Sequence, residues 1–76
     1  MILPSFTWVA SANAIIKGGA LPVFADIQSD TCNIDPIAIE SMITPRTEAI
    51  MPVHYAGQAA DMVEIMGIAR KHGLAV

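Results

Sequence analysis

Short apolar runs alternate with helix-patterned stretches along this chain, and the connections between them are brief. Met1 to Pro4, Leu21 to Ile27, Thr47 to Val53 and Leu74 to Val76 read as strands. The first run is too short to stand as a strand alone, and the segment after it gives it meaning. Thr7 offers an N-cap hydroxyl, a helix runs from Trp8 to Lys17, and Gly18-Gly19 stops it. Asp35-Pro36 opens a second helix, with a carboxylate at the cap and proline at the first helical position. Ile34 and Ile39 form a hydrophobic staple across that cap, Ile39, Met42 and Ile43 continue the buried stripe, and Pro45 closes the helix. A third helix spans Asp61 to His72, with Met62, Ile65, Met66 and Ala69 on one face and Gly73 as its cap. Asp61 suits its positive end, and Arg70, Lys71 and His72 suit its negative end. The order β-α-β-α-β-α-β predicts an α/β fold built as a three-layer piece of a mostly parallel sheet with right-handed crossovers. Leu21 to Ile27 is apolar on both faces, as buried parallel strands are, and Pro22 belongs at its start.

The composition does not match so small a chain. Its 76 residues make at most one small domain, and a chain of that length buries only about 60–65% of its unfolded surface. Yet 54% of residues are apolar and 14% charged, where an ordinary domain has about 25% charged. The surplus implies that apolar surface is meant to face something else, as in a fragment or an obligate oligomer. The net charge is −3, and Lys17, Arg46, Arg70 and Lys71 form no basic stripe, which argues against nucleic-acid binding. No apolar run approaches the roughly 20 residues of a membrane span. Met1 leads straight into Ile2-Leu3-Pro4 without a basic segment and long apolar core, so no signal peptide is expected. Cys32 is the single cysteine and has no partner for a disulfide or a metal pair. A cytoplasmic setting follows as the expectation.

Ligands of parallel α/β sheets gather at the carboxyl ends of the strands. Those ends hold Pro4 to Trp8, Asp26 to Asp30, and His54 to Gly57. Trp8 can stack on a planar ligand, although most aromatics of a small domain simply pack in its core. His54-Tyr55 can supply acid–base or hydrogen-bonding groups, or can serve as a structural pair. Asp26 and Asp30 lack a preceding Gly-x-Gly-x-x-Gly, so a dinucleotide site fails on its own requirement. Gly18-Gly19 follows a helix and is a cap rather than a phosphate loop. Cys32 reads as an incidental loop thiol, and Met42, Met62 and Met66 as core fillers. His72 is a helix-end cation or a neutral surface residue. No carboxylate pair, nucleophile triad or metal cluster stands out, so no catalytic or metal-binding residue is assigned.

The stretch Pro-Ser-Phe-Thr-Trp-Val-Ala-Ser-Ala-Asn-Ala, from Pro4 to Ala14, resembles the DegT/DnrJ/EryC1/StrS family of pyridoxal-phosphate-dependent sugar aminotransferases. The likeness continues through Gly-Ala-Leu-Pro-Val-Phe-Ala-Asp-Ile, Asn-Ile-Asp-Pro, Ile-Thr-Pro-Arg-Thr-Glu-Ala-Ile, Pro-Val-His-Tyr-Ala-Gly-Gln-Ala-Ala-Asp-Met and Ile-Ala-Arg-Lys-His-Gly-Leu. It covers essentially the whole chain in unbroken order. The resemblance implies part of a large domain with the aspartate-aminotransferase-like fold, with no complete domain boundary inside residues 1–76. It implies amino transfer, usually from glutamate, to a keto-sugar attached to a nucleotide, in a homodimer. Trp8 matches the family aromatic that stacks on the cofactor's pyridine ring, which reverses the core-packing expectation for an intact enzyme. His54 would sit near the cofactor, and the His-Tyr-Ala-Gly loop looks like members that make 4-amino sugars on UDP.

Other family groups have no counterpart in these residues. In the family, the strand beginning at Leu74 continues into an Asp that pairs with the pyridine nitrogen, and the Schiff-base lysine lies further on. A Gly/Ser/Thr segment upstream helps to bind phosphate. Lys17 and Lys71 end helices and do not replace that lysine. A chain of these residues alone is therefore expected to bind no cofactor, to be inactive and to oligomerise through its open sheet edges and apolar faces. A stand-alone, non-enzymatic oligomeric or binding module derived from the family is the alternative.

Overall fold

The computed structural model describes residues 1–76. In chain order it contains β1 (Ile2–Pro4), α1 (Val9–Lys17), β2 (Val23–Ala25), α2 (Pro36–Met42), a single 3₁₀ turn (Tyr55–Gly57) and α3 (Met62–His72). β1 and β2 are parallel, with Ile2 opposite Val23 and Pro4 opposite Ala25. On the other edge of β1, Ile2 bridges in parallel to Ile50, and Ala49 bridges in parallel to Ala75. Ile2 N donates to Ala49 O at 3.0 Å and Met51 N to Ile2 O at 2.7 Å; Ile50 N donates to Ala75 O at 2.8 Å. The sheet thus runs β2, β1, the Ala49–Ile50 segment, then Ala75.

This order reverses at β1. The first crossover moves from β1 to β2, and the second returns past β1 to its opposite side. Right-handed crossovers that move in opposite directions place their helices on opposite faces. The core agrees: Ile39 of α2 and Ile65 and Ala69 of α3 form one buried cluster with Ile2, Ala25, Ile34, Ile50 and Ala60. Leu3 points to the other face by strand alternation; it and Ile15 of α1 are buried outside that cluster.

The α2 start follows the sequence reading. Asp35 Oδ1 accepts from Ile37 N at 3.0 Å, Pro36 follows it, and Ile34 and Ile39 are both fully buried. At the end of α3, Gly73 adopts φ 68°, a left-handed conformation that glycine takes without steric cost, and Leu74 N closes onto Ala69 O at 2.8 Å.

Several local expectations are corrected. Trp8, not Thr7, caps α1, and no side-chain bond makes the cap; Ser11 N instead closes the first turn on Trp8 O at 3.1 Å. The expected strand from Leu21 to Ile27 shrinks to Val23–Ala25, because Ile27 turns away to bridge antiparallel to Ile34. Nor is β2 buried on both faces, since Phe24 is 51% exposed. The expected strand from Thr47 to Val53 pairs only around Ala49 and Ile50, and Pro52 just beyond has no N–H to extend the ladder. Met42 is exposed rather than core: α2 ends there, Ile43 turns to an extended ψ of 132°, and Ile43 packs against the core instead. Asp61 does stand at the α3 N-cap, but without a side-chain bond to the helix.

Candidate functional site at the strand ends

A reversal of strand order leaves a crevice at the carboxyl end of the strand where it occurs, because the connecting chains depart on opposite sides. Here that strand is β1, and the residues at its carboxyl end are Ser5, Phe6, Thr7 and Trp8. Ser5 N donates to Ala25 O at 2.8 Å, carrying the parallel pairing one residue past β1. The chain then turns into α1. Trp8, in extended backbone at the helix cap, is 78% exposed. It does not pack in the core of this chain.

The neighbouring segment contributes Tyr55, whose ring lies 5.0 Å from that of Phe6 at a 53° tilt. Tilted aromatic pairs at such spacing are favourable beyond their buried area. Two side chains fix the loop that carries Tyr55. Asn33, only 1% exposed, accepts from Tyr55 N through Oδ1 at 2.8 Å and donates through Nδ2 to Gln58 O at 3.0 Å. His54 accepts from Ala60 N through Nδ1 at 3.0 Å. Asn33 is itself braced, its N–H donating to Thr31 Oγ1 at 3.2 Å and Thr31 Oγ1 donating to Gln28 Oε1 at 3.0 Å. Gln28 Nε2 donates to Asp61 Oδ2 at 2.7 Å, which ties this turn to the start of α3.

The strand ends therefore come together as the sequence placed them, but with different weights. Trp8 presents an open π-face, and His54 works structurally through Nδ1 while its Nε2 has no partner in the chain. Asp26 Oδ1 accepts from the adjacent Ile27 N at 2.8 Å, and Asp30 is exposed in a turn. Phe6 and Asn33 were not singled out by the sequence reading. Phe6 lay in plain view beside Trp8, whereas nothing in the spacing of Asn33 announces partners 22 and 25 residues away.

Cationic groups lie elsewhere. Lys17 closes α1, a nine-residue helix and so about 13 Å long. Lys71 Nζ and His72 Nε2 meet Glu40 Oε1 at 2.9 and 3.3 Å, between the ends of α2 and α3. The hydrogen bonds from Lys71 and then His72 hold the Glu40 carboxyl below its ordinary value. The surface concavities lie between α2 and α3 or along Met1, Leu21, Thr44 and Ala75, away from Trp8. No three His, Cys, Asp or Glu side chains converge to hold a metal. No helix is long and apolar enough to cross a membrane. The arrangement can hold a flat ring by stacking beside neutral polar groups.

Known proteins share this fold. The chain is 50% identical over all 76 residues to the spore coat polysaccharide biosynthesis protein SpsC of Bacillus subtilis, covering 20% of that protein. The fold matches DesV of S. venezuelae, solved in complex with a ketimine intermediate, at a TM-score of 0.93 and 42% identity, over 96% of this chain and 20% of that one. NtdA of Bacillus subtilis, solved with bound cofactor PMP, matches at a TM-score of 0.93 and 41% identity, over 96% of this chain and 17% of that one. The chain thus spans about a fifth of the length of these relatives. With the α/β fold they share and a family model matched across residues 1–76, the chain belongs to the DegT/DnrJ/EryC1/StrS aminotransferase family.

Proposed function

We propose that these residues form the part of a sugar aminotransferase large domain that faces a pyridoxal-phosphate cofactor, and that Trp8 supplies one stacking face for its pyridine ring. The observation that carries this reading is the exposed indole at the carboxyl end of β1, where the strand order reverses. A planar pyridine ring fits that face. When bound, the cofactor supplies the electron sink that lets an amino group move between carbon skeletons. The residues of this chain orient the ring: Trp8 covers one face, and His54 stands nearby as a polar neighbour. No lysine amine stands at this end of the sheet, because Lys17 closes the far end of α1 and Lys71 is engaged by Glu40. By themselves, then, these residues hold a ring face without the group that would bind the cofactor covalently, and they do not transaminate.

The reading extends to the substrates and setting the family implies: a keto-sugar linked to a nucleotide, glutamate as amino donor, and a cytoplasmic homodimer. A second reading, a non-enzymatic module that associates through its apolar surface, is favoured by Phe24, Leu21, Val9 and Ile16, all more than half exposed. The deciding experiment exchanges these 76 residues for the matching segment of SpsC and follows cofactor absorbance and amination of a nucleotide-linked keto-sugar. The exchanged enzyme should keep its cofactor and its activity. Trp8→Ala in that background should weaken cofactor binding about 2- to 12-fold, as a stack worth about 0.5–1.5 kcal/mol requires. Unchanged cofactor affinity in Trp8→Ala would remove the stacking role, and an exchanged enzyme unable to hold cofactor would favour the module.

A further inference from the structure

The 54–60 loop is over-determined for a surface connection. Asn33 holds it at Tyr55 N and at Gln58 O, and His54 holds it at Ala60 N. Two non-glycine residues flank these contacts in left-handed backbone, Cys32 at φ 62° beside Asn33 and Ala56 at φ 52° beside Tyr55. Such conformations cost about 1–2 kcal/mol per residue for L-amino acids and persist where surrounding contacts dictate them. The result of all this bracing is the position of one ring: Tyr55 against Phe6.

The His54 contact has a chemical corollary. A backbone N–H is an obligatory donor, so the Nδ1 atom facing Ala60 N at 3.0 Å must present its lone pair. In the neutral ring the proton then resides on Nε2, which has no partner in the chain and lies on an exposed residue. We propose that Asn33 and His54 are positioning residues for the strand-end site: together they lock the Tyr55 turn, and the lock fixes His54 as the Nε2–H tautomer. The site is thereby given a neutral hydrogen-bond donor suited to a ligand oxygen, rather than a base. The consequence for a ligand rests on the cofactor reading above; the tautomer and the lock do not.

The test is a long-range proton–nitrogen spectrum of the imidazoles in the full ¹⁵N-labelled chain at neutral pH, joined to amide exchange at Tyr55 and Ala60. We expect His54 to show an unprotonated Nδ1 and a protonated Nε2. An Nδ1–H ring, or a mixture of the two tautomers, overturns the assignment. His54→Asn places an amide oxygen where Nδ1 stood, so Ala60 N should keep its protection; His54→Leu should raise its exchange at least tenfold. Asn33→Asp keeps the acceptor for Tyr55 N, and Asn33→Ala should speed Tyr55 exchange at least tenfold and abolish Phe6–Tyr55 ring contacts. Equal exchange in the Asn and Leu variants of His54 would overturn the lock even if Asn33→Ala failed to fold. Failure of cofactor stacking on Trp8 would remove the proposed function and leave this tautomer standing, whereas an Nδ1–H imidazole removes this proposal alone.

Discussion

The two faces of the sheet are finished to different degrees. On one, Ile2, Ala25 and Ile50 meet Ile34, Ile39, Ile65 and Ala69, and every one of these side chains is 2% exposed or less. On the other, Leu3 and Ile15 are buried, but Phe24 opposite Leu3 is 51% exposed and Val9 and Ile16 on α1 are 60% and 58% exposed. The order of crossovers explains the difference. Two helices return across the first face and one crosses the second. A small chain with an apolar excess would bury it if it could. Here Val9, Ile16 and Phe24 stay exposed on the α1 side, whereas on α2 and α3 the exposed apolar side chains are Ile37, Met42 and Val63.

Core truncations should expose this difference most strongly. Ile39→Ala or Ile65→Ala, each at a fully buried position, should cost about 2–5 kcal/mol in chemical denaturation. Phe24→Ala, on the open side, should cost far less and should reduce self-association measured by sedimentation. A loss at Phe24 equal to that at Ile39 would mean that the two faces are equally closed in solution.

Next in size is Asn33→Ala. It leaves Tyr55 N and Gln58 O without their side-chain partner, at about 1–3 kcal/mol for polar groups left unpaired under partial burial. The caps offer a third contrast. Asp35→Ala removes the bond to Ile37 N and should lower the stability by about 1 kcal/mol, whereas Trp8→Ala at the unbonded α1 cap should stay within about 0.5 kcal/mol. Thermal unfolding of the two variants side by side checks this.

The smallest effect is a pH dependence at the α2–α3 ends. Glu40 is held below its ordinary 4.5 by the hydrogen bonds from Lys71 and His72. A depressed carboxyl contributes stability that is fully present above 4.5 and fades as the pH falls through its lower folded value. Glu40→Gln should flatten the acid limb of the stability profile slightly, and added salt should do the same, because the pair is exposed.

The covered face was the legible one. Asp35-Pro36, the Ile34–Ile39 staple, the α3 stripe and Gly73 are local signals, each settled by a few neighbouring residues. The expectations that moved were those set by the sheet as a whole. How far β2 pairs depends on Ile27 leaving for Ile34, and the burial of Met42 depends on where α2 stops relative to Ile43. At the site, Trp8 and His54 could be named because their positions next to strand ends are sequential. Asn33 and the Phe6–Tyr55 pair join segments far apart in sequence, and the order in which strands lie side by side decides that meeting. That order turns on which edge of β1 the third strand takes, which no local pattern records.

The most direct measurement is amide exchange by residue, in this chain and again in the SpsC enzyme carrying it. In the chain alone, Ala69 in α3 should exchange at or near the global unfolding limit, and Ile15 and Ile16 in α1 at least tenfold faster, a gap of about 1.4 kcal/mol. In the exchanged enzyme, the α1 amides should slow to match α3. Equal protection of α1 and α3 in the chain alone, unchanged in the larger enzyme, would contradict the claim that the α1 side awaits a cover.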